Sequence, residues 1–214
     1  MPTTLEIVRL NPAVSAVDVR PLMPHDWQQQ IRDVAEESGT PVILRGGEVA
    51  TSRAPSDFIT DYKVVTGDKI LPRLPWLARN YRGAFLELVQ QFAGHELDPD
   101  PDEQYSPNIN VLIRGRKYEP HVDANEITGM LAVYDIHKGD GGVLTHRLPD
   151  STTLWETRVK AGWLYIFNGR DHIHGVSELN TDIRITVPMN YNPKGVPIVR
   201  PSNLGAIHGI QVDK

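Results

Sequence analysis

The 214-residue chain contains no cysteine, which excludes a disulfide framework, a thiolate zinc site, an iron-sulfur cluster and a cysteine nucleophile. Any metal must be held by nitrogen and oxygen. Positive charge is scarce: 22 Lys and Arg stand against 27 Asp and Glu, for a net charge of -5. The basic footprint of a nucleic-acid binder is therefore missing, and no nucleic-acid partner is expected. Long apolar runs are absent, and the opening MPTTLEIVRL lacks the basic and apolar regions of a signal peptide. No membrane partner and a cytoplasmic location are the corresponding expectations. There is no internal repeat, no G-x-S-x-G elbow and no H-E-x-x-H helix. Gly139, Gly141 and Gly142 lack the spacing of a dinucleotide-binding loop and read as a hairpin turn. What is present, 40% hydrophobic and 23% charged residues, suits one globular domain with a real core.

Periodicity outlines the elements. Trp27, Ile31 and Val34 recur at helical spacing before Gly39 and predict a helix over 26–38. Residues 41–45 (PVILR), ending at Gly46 and Gly47, read as a short buried strand, and 48–56 as a loop. Tyr81, Phe85, Leu88, Val89 and Phe92 predict a second helix that ends at Gly94 and packs its stripe on a sheet. The acidic DPDPDEQ at 98–104 is expected to be an exposed connection, because alternating Asp and Pro cannot propagate a helix or pair in a central strand.

The texture then changes to short alternating or β-branched segments at 108–114, 129–134, 143–148, 163–167 and 183–190. Turn signals at 138–142, 149–150, 161–162 and 168–169 separate them, as in an antiparallel sandwich or barrel. The expected fold class is α+β, mainly β, in one domain over 1–214. Its parts are a mixed helical support region (1–97), a β core (105–192) and a C-terminal extension (193–214) lying extended over the body.

Five of the eight histidines, His121, His137, His146, His172 and His174, fall within the β-rich part. His121 and Asp123 are two positions apart, so on a strand or extended loop both side chains point to one side and offer two adjacent metal ligands. Alone, His-x-Asp is a weak motif. His172 and His174 also share a side in an extended segment, and either could supply a further ligand. His137 and His146 read as structural, and His25 and His95 have no assigned role. Arg184 and Thr186 share one strand face; without a metal motif nearby, Arg184 would read as a surface salt bridge. In 108–114, Asn108, Asn110, Leu112 and Arg114 oppose Ile109, Val111 and Ile113, a polar face that is unusual for a buried strand and by itself reads as solvent-facing. Tyr118, Tyr134 and Trp163 either shape a cavity or pack in the core.

The ordered series His121-x-Asp123, Gly141-Gly142-Val143-Leu144, AGWLYIF at 161–167, His174-Gly175-Val176 and Arg184 resembles the iron(II)- and 2-oxoglutarate-dependent oxygenases. The resemblance covers residues 108–190 and looks closest to small members of the prolyl 4-hydroxylase-like group. It implies a double-stranded β-helix, a cupin-like jelly roll enclosing iron near one open end. It implies that His121, Asp123 and His174, rather than His172, form a facial triad on Fe(II), leaving three positions for a bidentate 2-oxo acid and O2. It further implies that Arg184 pairs with the distal carboxylate of 2-oxoglutarate, with Thr186 adding a hydroxyl and Asn110 a hydrogen bond.

The activity implied is a dioxygenase that hydroxylates a C–H bond and releases succinate and carbon dioxide. Desaturation, cyclisation and epimerisation would use the same ligands, whereas halogenation is disfavoured by the presence of Asp123. The short chain and acidic balance favour a small-molecule substrate, such as an amino acid or biosynthetic intermediate. The alternatives are a peptidyl prolyl hydroxylase-type enzyme, a non-catalytic cupin-like binding or sensing module, and an unrelated β-sandwich with structural histidines.

Overall fold

A computed structural model describes residues 5–210. A short hairpin, β1 (Val8–Arg9) and β2 (Ser15–Asp18), precedes α1 (Trp27–Ser38), which buries Trp27, Ile31, Val34 and Ala35 as the spacing predicts. β3 (Thr40–Arg45) pairs with β4 (Ile59–Val65), and α2 (Gly67–Ile70), α3 (Pro75–Arg82) and α4 (Ala84–Ala93) follow. Gly94 adopts φ 78°, and its N–H caps the Gln90 carbonyl, ending α4 with a left-handed residue that glycine alone adopts freely. Then come β5 (Leu97–Pro99), β6 (Ile109–Ile113), β7 (Tyr118–His121), β8 (Ile127–Ala132) and β9 (Leu144–Arg147). β10 (Trp155–Thr157), β11 (Trp163–Asn168), β12 (Ile173–Val176), β13 (Ile183–Pro193) and a 3-10 helix, Leu204–His208, are the last elements of the described residues.

The strands form two antiparallel sheets. The larger has the order β1-β2-β11-β8-β13-β6-β4-β3, with β5 added on β13; the smaller has the order β10-β9-β12-β7. This is a double-stranded β-helix. Period-two alternation sorts the larger sheet's side chains into two layers. Ile109, Val111, Leu131, Leu164, Ile166, Ile185, Val187 and Met189 pack in one core cluster with α1, α3 and α4. Met130, Ala132, Tyr165 and Phe167, from alternate positions, pack with Leu144 of the smaller sheet. Burial on both faces explains why β8 and β11 read as near-continuous apolar runs.

Four expectations change. The helix predicted through Tyr81 to Phe92 is two helices, broken at Gly83, whose backbone (φ −129°, ψ −105°) is non-helical. β3 is an edge strand rather than a buried one: Val42 and Leu44 are covered, while Ile43 is 68% exposed. The 98–104 segment is not simply an exposed connection. Leu97–Pro99 pairs with β13, and Asp100 is buried, its Oδ1 accepting from the Asp102 N–H (3.0 Å) and from Arg200 (2.8 Å). The C-terminal extension contains the Leu204–His208 helical turn, which packs on β3 and reaches the site described below. Among the described residues no helix is long and apolar enough to cross a membrane.

Candidate metal centre and cavity

The smaller sheet sets the histidines side by side. The β7–β12 register places His174 opposite His121, and the β12–β9 register places His146 opposite His174. The His121 and His174 rings lie 4.3 Å apart between centroids. Each ring is held by the backbone carbonyl two residues before it: Nδ1–H of His121 donates to the Glu119 carbonyl (2.7 Å) and that of His174 to the His172 carbonyl (2.9 Å). Those bonds occupy Nδ1 and turn both Nε2 atoms toward Asp123, where loss of the Nε2 proton would leave a lone pair on each ring to ligate a metal.

Asp123 follows in the turn after β7. Its N–H donates to the Gly169 carbonyl (2.7 Å), and its Oδ1 lies 3.5 Å from His121 Nε2 and 3.4 Å from His174 Nε2. The three ligand-type atoms all fall within 4.8 Å of one another, a span one cation can bridge. Asp123 Oδ2 accepts a close hydrogen bond from the Thr128 hydroxyl, which itself accepts from Asn125 Nδ2 (2.9 Å). Gly169 lets this relay form, because a Cβ there would stand 2.5 Å from Asp123 Oδ2 and 2.6 Å from Thr128 Oγ1.

The charges follow from this packing. Burial opposes ionisation of Asp123, but the charge of His174 and hydrogen bonds from both imidazoles outweigh it and hold its carboxyl well below the usual range. Burial likewise opposes protonation of His121, and Asp123 overrides it, raising the His121 pKa. Behind His174, His146 is fully buried with neither ring nitrogen partnered, and burial foremost keeps it neutral.

Beside the triad is a cavity of about 110 Å³. Its floor is the β6–β13 ladder, in which Arg184 pairs with Leu112 and Thr186 with Asn110, and all four line the space. The polar face is thus turned inward at Asn108, Asn110 and Leu112, while Arg114, just past the strand, is exposed and pairs with Asp182. Arg184 is 5% exposed, its Nε has no partner, and its one polar contact is Met130 Sδ at 4.0 Å. Burial, partly offset by the facing Tyr165, lowers its pKa to about 10. Among the described residues no carboxylate pairs with this buried positive charge.

An oxidoreductase of the 2OG-Fe(II) oxygenase family from Burkholderia pseudomallei matches over 88% of this chain and 89% of its own, with a TM-score of 0.68 at 12% identity. The chain has the fold of the iron(II)- and 2-oxoglutarate-dependent oxygenases. HygX from Streptomyces hygroscopicus, with nickel, 2-oxoglutarate and hygromycin B bound, matches with a TM-score of 0.61 at 11% identity, over 88% of this chain and 86% of its own. A prolyl hydroxylase in complex with a hypoxia inducible factor oxygen degradation domain peptide fragment from Trichoplax adhaerens gives 0.60 at 11%, over 86% and 85%. No protein-family model matches the sequence, and no curated protein matches it.

In this oxygenase fold the six residues singled out from sequence, His121, Asp123, His174, Arg184, Thr186 and Asn110, all line one cavity. Tyr118 also lines it, with its ring 5.1 Å from His121. Tyr134 and Trp163 stand outside the lining; Tyr134 packs on the helix-side core and Trp163 under the Lys160 ammonium. His172 contributes its carbonyl to His174, and its ring lies outside the triad. Sequence reasoning missed Thr128, Asn125 and Gly169, which orient Asp123, and Asn108, Leu204, Ile207 and His208, which line the cavity. The inward face of 108–114 already carried a signal for Asn108; nothing local marked the others.

Proposed function

We propose that the protein is an iron(II)- and 2-oxoglutarate-dependent dioxygenase that hydroxylates a small molecule. The observation that carries this reading is Arg184, a guanidinium buried without a carboxylate partner in the cavity that also holds two imidazoles and an aspartate. An unpaired buried charge is costly, and a dicarboxylate ligand would supply the missing anion. The donor set fits iron(II): two imidazole nitrogens and one carboxylate oxygen, no thiolate, with both histidines oriented by backbone carbonyls.

In this reading His121, Asp123 and His174 hold the iron. Arg184 takes the distal carboxylate of 2-oxoglutarate in a two-pronged pair, with Thr186 and Asn110 beside it. Bound iron and 2-oxoglutarate would supply oxygen activation; in balance, 2-oxoglutarate, O2 and a substrate C–H bond give succinate, carbon dioxide and a C–OH group. The chain's own work is orientation. Thr128 holds the Asp123 carboxylate in place, Arg184 fixes one end of the co-substrate, and Leu144, Phe167 and Val176 line the space with apolar surface that excludes water. A small-molecule substrate is supported by the modest cavity volume and by the C-terminal turn that walls it, and HygX binds hygromycin B within the same fold.

The test is an anaerobic titration of the protein with iron(II) and then 2-oxoglutarate, following the visible charge-transfer absorption of a chelated 2-oxo acid. A band that saturates at one 2-oxoglutarate per chain, and that is lost in Asp123→Ala, is the expected result. Folded, metal-treated protein that develops no band would overturn the proposal.

A further inference from the structure

The cavity has a second polar end, away from Arg184. On its floor the lining residues alternate with core residues: Arg184, Thr186, Pro188 and Asn190 on β13, facing Asn110 and Asn108 across the ladder. The Asn108 N–H donates to the Pro188 carbonyl (3.0 Å). Four residues of extended strand separate Pro188 from Arg184, roughly 13 Å. A five-carbon dicarboxylate anchored on Arg184 spans only about half of that.

Two buried polar atoms at this far end have no partner. Asn108 is 4% exposed; its Nδ2 donates to the Tyr105 carbonyl (2.9 Å), which fixes the amide's orientation and leaves Oδ1 unpaired. His208 is 8% exposed, its Nδ1 is unpaired, and its ring stands edge-on to Tyr105 at 5.0 Å. Both residues line the cavity, together with Leu204 and Ile207 of the same helical turn. That turn is pinned from two sides. The Tyr62 hydroxyl donates to the Ile207 carbonyl, and Arg200, which pairs with Asp100 at 2.8 Å, lies over the Tyr105 ring at 4.2 Å. A pinned wall that buries two unsatisfied polar atoms fits a ligand that completes them.

We infer that Asn108 and His208 form the substrate-recognition end of the cavity, taking a hydrogen-bond-donating hydroxyl or amino group on a small, otherwise apolar molecule. Asn108 Oδ1 can only accept, so the ligand brings the hydrogen. Leu204 and Ile207 supply the apolar surface beside it. This inference rests on the oxygenase reading, and Asn108 and His208 act in it as specificity-determining residues.

The experiment uses the full chain under nitrogen with iron(II) and 2-oxoglutarate. A panel of amino acids, amino alcohols and aminocyclitols is measured by equilibrium dialysis, each compound beside a counterpart with hydrogen in place of the hydroxyl or amino group. At least one hydroxyl- or amino-bearing compound should bind about tenfold more tightly than its counterpart, the scale of one well-made hydrogen bond. His208→Phe, which keeps a ring against Tyr105, and Asn108→Leu should each erase that preference, while the 2-oxoglutarate titration of the visible band stays as in the wild type. The inference is overturned if no compound is preferred over its counterpart, if both variants retain the preference, or if they weaken 2-oxoglutarate instead. Absence of the band in the wild type would remove the oxygenase reading and this inference with it.

Discussion

Replacing Arg184 with methionine should stabilise the free protein and abolish its response to 2-oxoglutarate. Removing one partner of a buried ion pair is ordinarily destabilising, because it strands the other charge. Arg184 has no partner to strand. Burial lowers its pKa from the ordinary arginine range to about 10, a displacement worth about 3 kcal/mol against the charged form. The folded value lies below the unfolded one, so the penalty is fully present below about pH 10 and fades only as the pH climbs toward the unfolded value. At neutral pH, Arg184→Met removes it, and the unbranched side chain keeps most of the packing of the arginine stem. For a chain of this size each kcal/mol is worth about 2–4 °C, so the variant should melt roughly 5 °C or more above the wild type when 2-oxoglutarate is absent. Co-substrate at a hundred times its dissociation constant would add about 2.7 kcal/mol to the wild type and nothing to the variant. Calorimetric melts of iron(II)-loaded protein under nitrogen, with and without 2-oxoglutarate, read both effects. A variant that melts below the wild type and keeps the 2-oxoglutarate shift would refute the assignment of Arg184 as an unpaired anion receptor.

Other consequences concern the aspartate and its neighbours. Thr128→Val keeps the side-chain shape but withdraws the hydroxyl from Asp123 Oδ2; metal affinity should fall by about 10–100-fold in a calorimetric titration, and an unchanged affinity would show the bond to be incidental. Gly169→Ala drives a methyl group to 2.5 Å from Asp123 Oδ2, so metal binding should be lost while circular dichroism still reports a folded β protein; retained binding would contradict this geometry. The metal-free site also gives a pH signature. The raised His121 pKa contributes stability that is present below its unfolded value and lost as pH rises through the folded one, and the lowered Asp123 pKa contributes stability lost as pH falls through its folded value. Metal-free protein should therefore melt highest in mild acid, whereas metal affinity should weaken there because iron competes with the His121 proton. A metal-free stability maximum on the alkaline side would rule out this coupling.

How much of the molecule could be read in advance depended on whether a pattern was local. The side chains of β6, β8 and β11 divide between two buried layers, which makes β8 and β11 near-continuous apolar runs, and glycine marks most of the turns between strands, so the β-rich part was legible. β7 was not, since Pro120 argues against a strand; the sheet order puts β7 at an edge, where a missing N–H costs no ladder bond. β4 mixes charged Asp61 and Lys63 with Tyr62 and Val64, and its strand character rests on pairing with β3 and β6. The fold of the wall was hidden for the same reason: Leu204, Ile207 and His208 reach the cavity only because Tyr62 and Asp100, far away in sequence, anchor that segment.

The choice between His172 and His174 shows what parity alone cannot decide. Both lie on one side of an extended segment, so a period of two treats them alike. The β7–β12 register breaks the tie by pairing His174 directly with His121, within a strand that begins at Ile173 and so leaves His172 beyond its end. From there His172 turns its carbonyl to the Nδ1–H of His174, which leaves the Nε2 of His174 available to a metal. The two histidines are thus successive parts of one device, an acceptor that orients and an imidazole that is oriented. Replacing His172 should accordingly perturb metal affinity far less than replacing His174, because the orienting atom belongs to the backbone and survives any side-chain change.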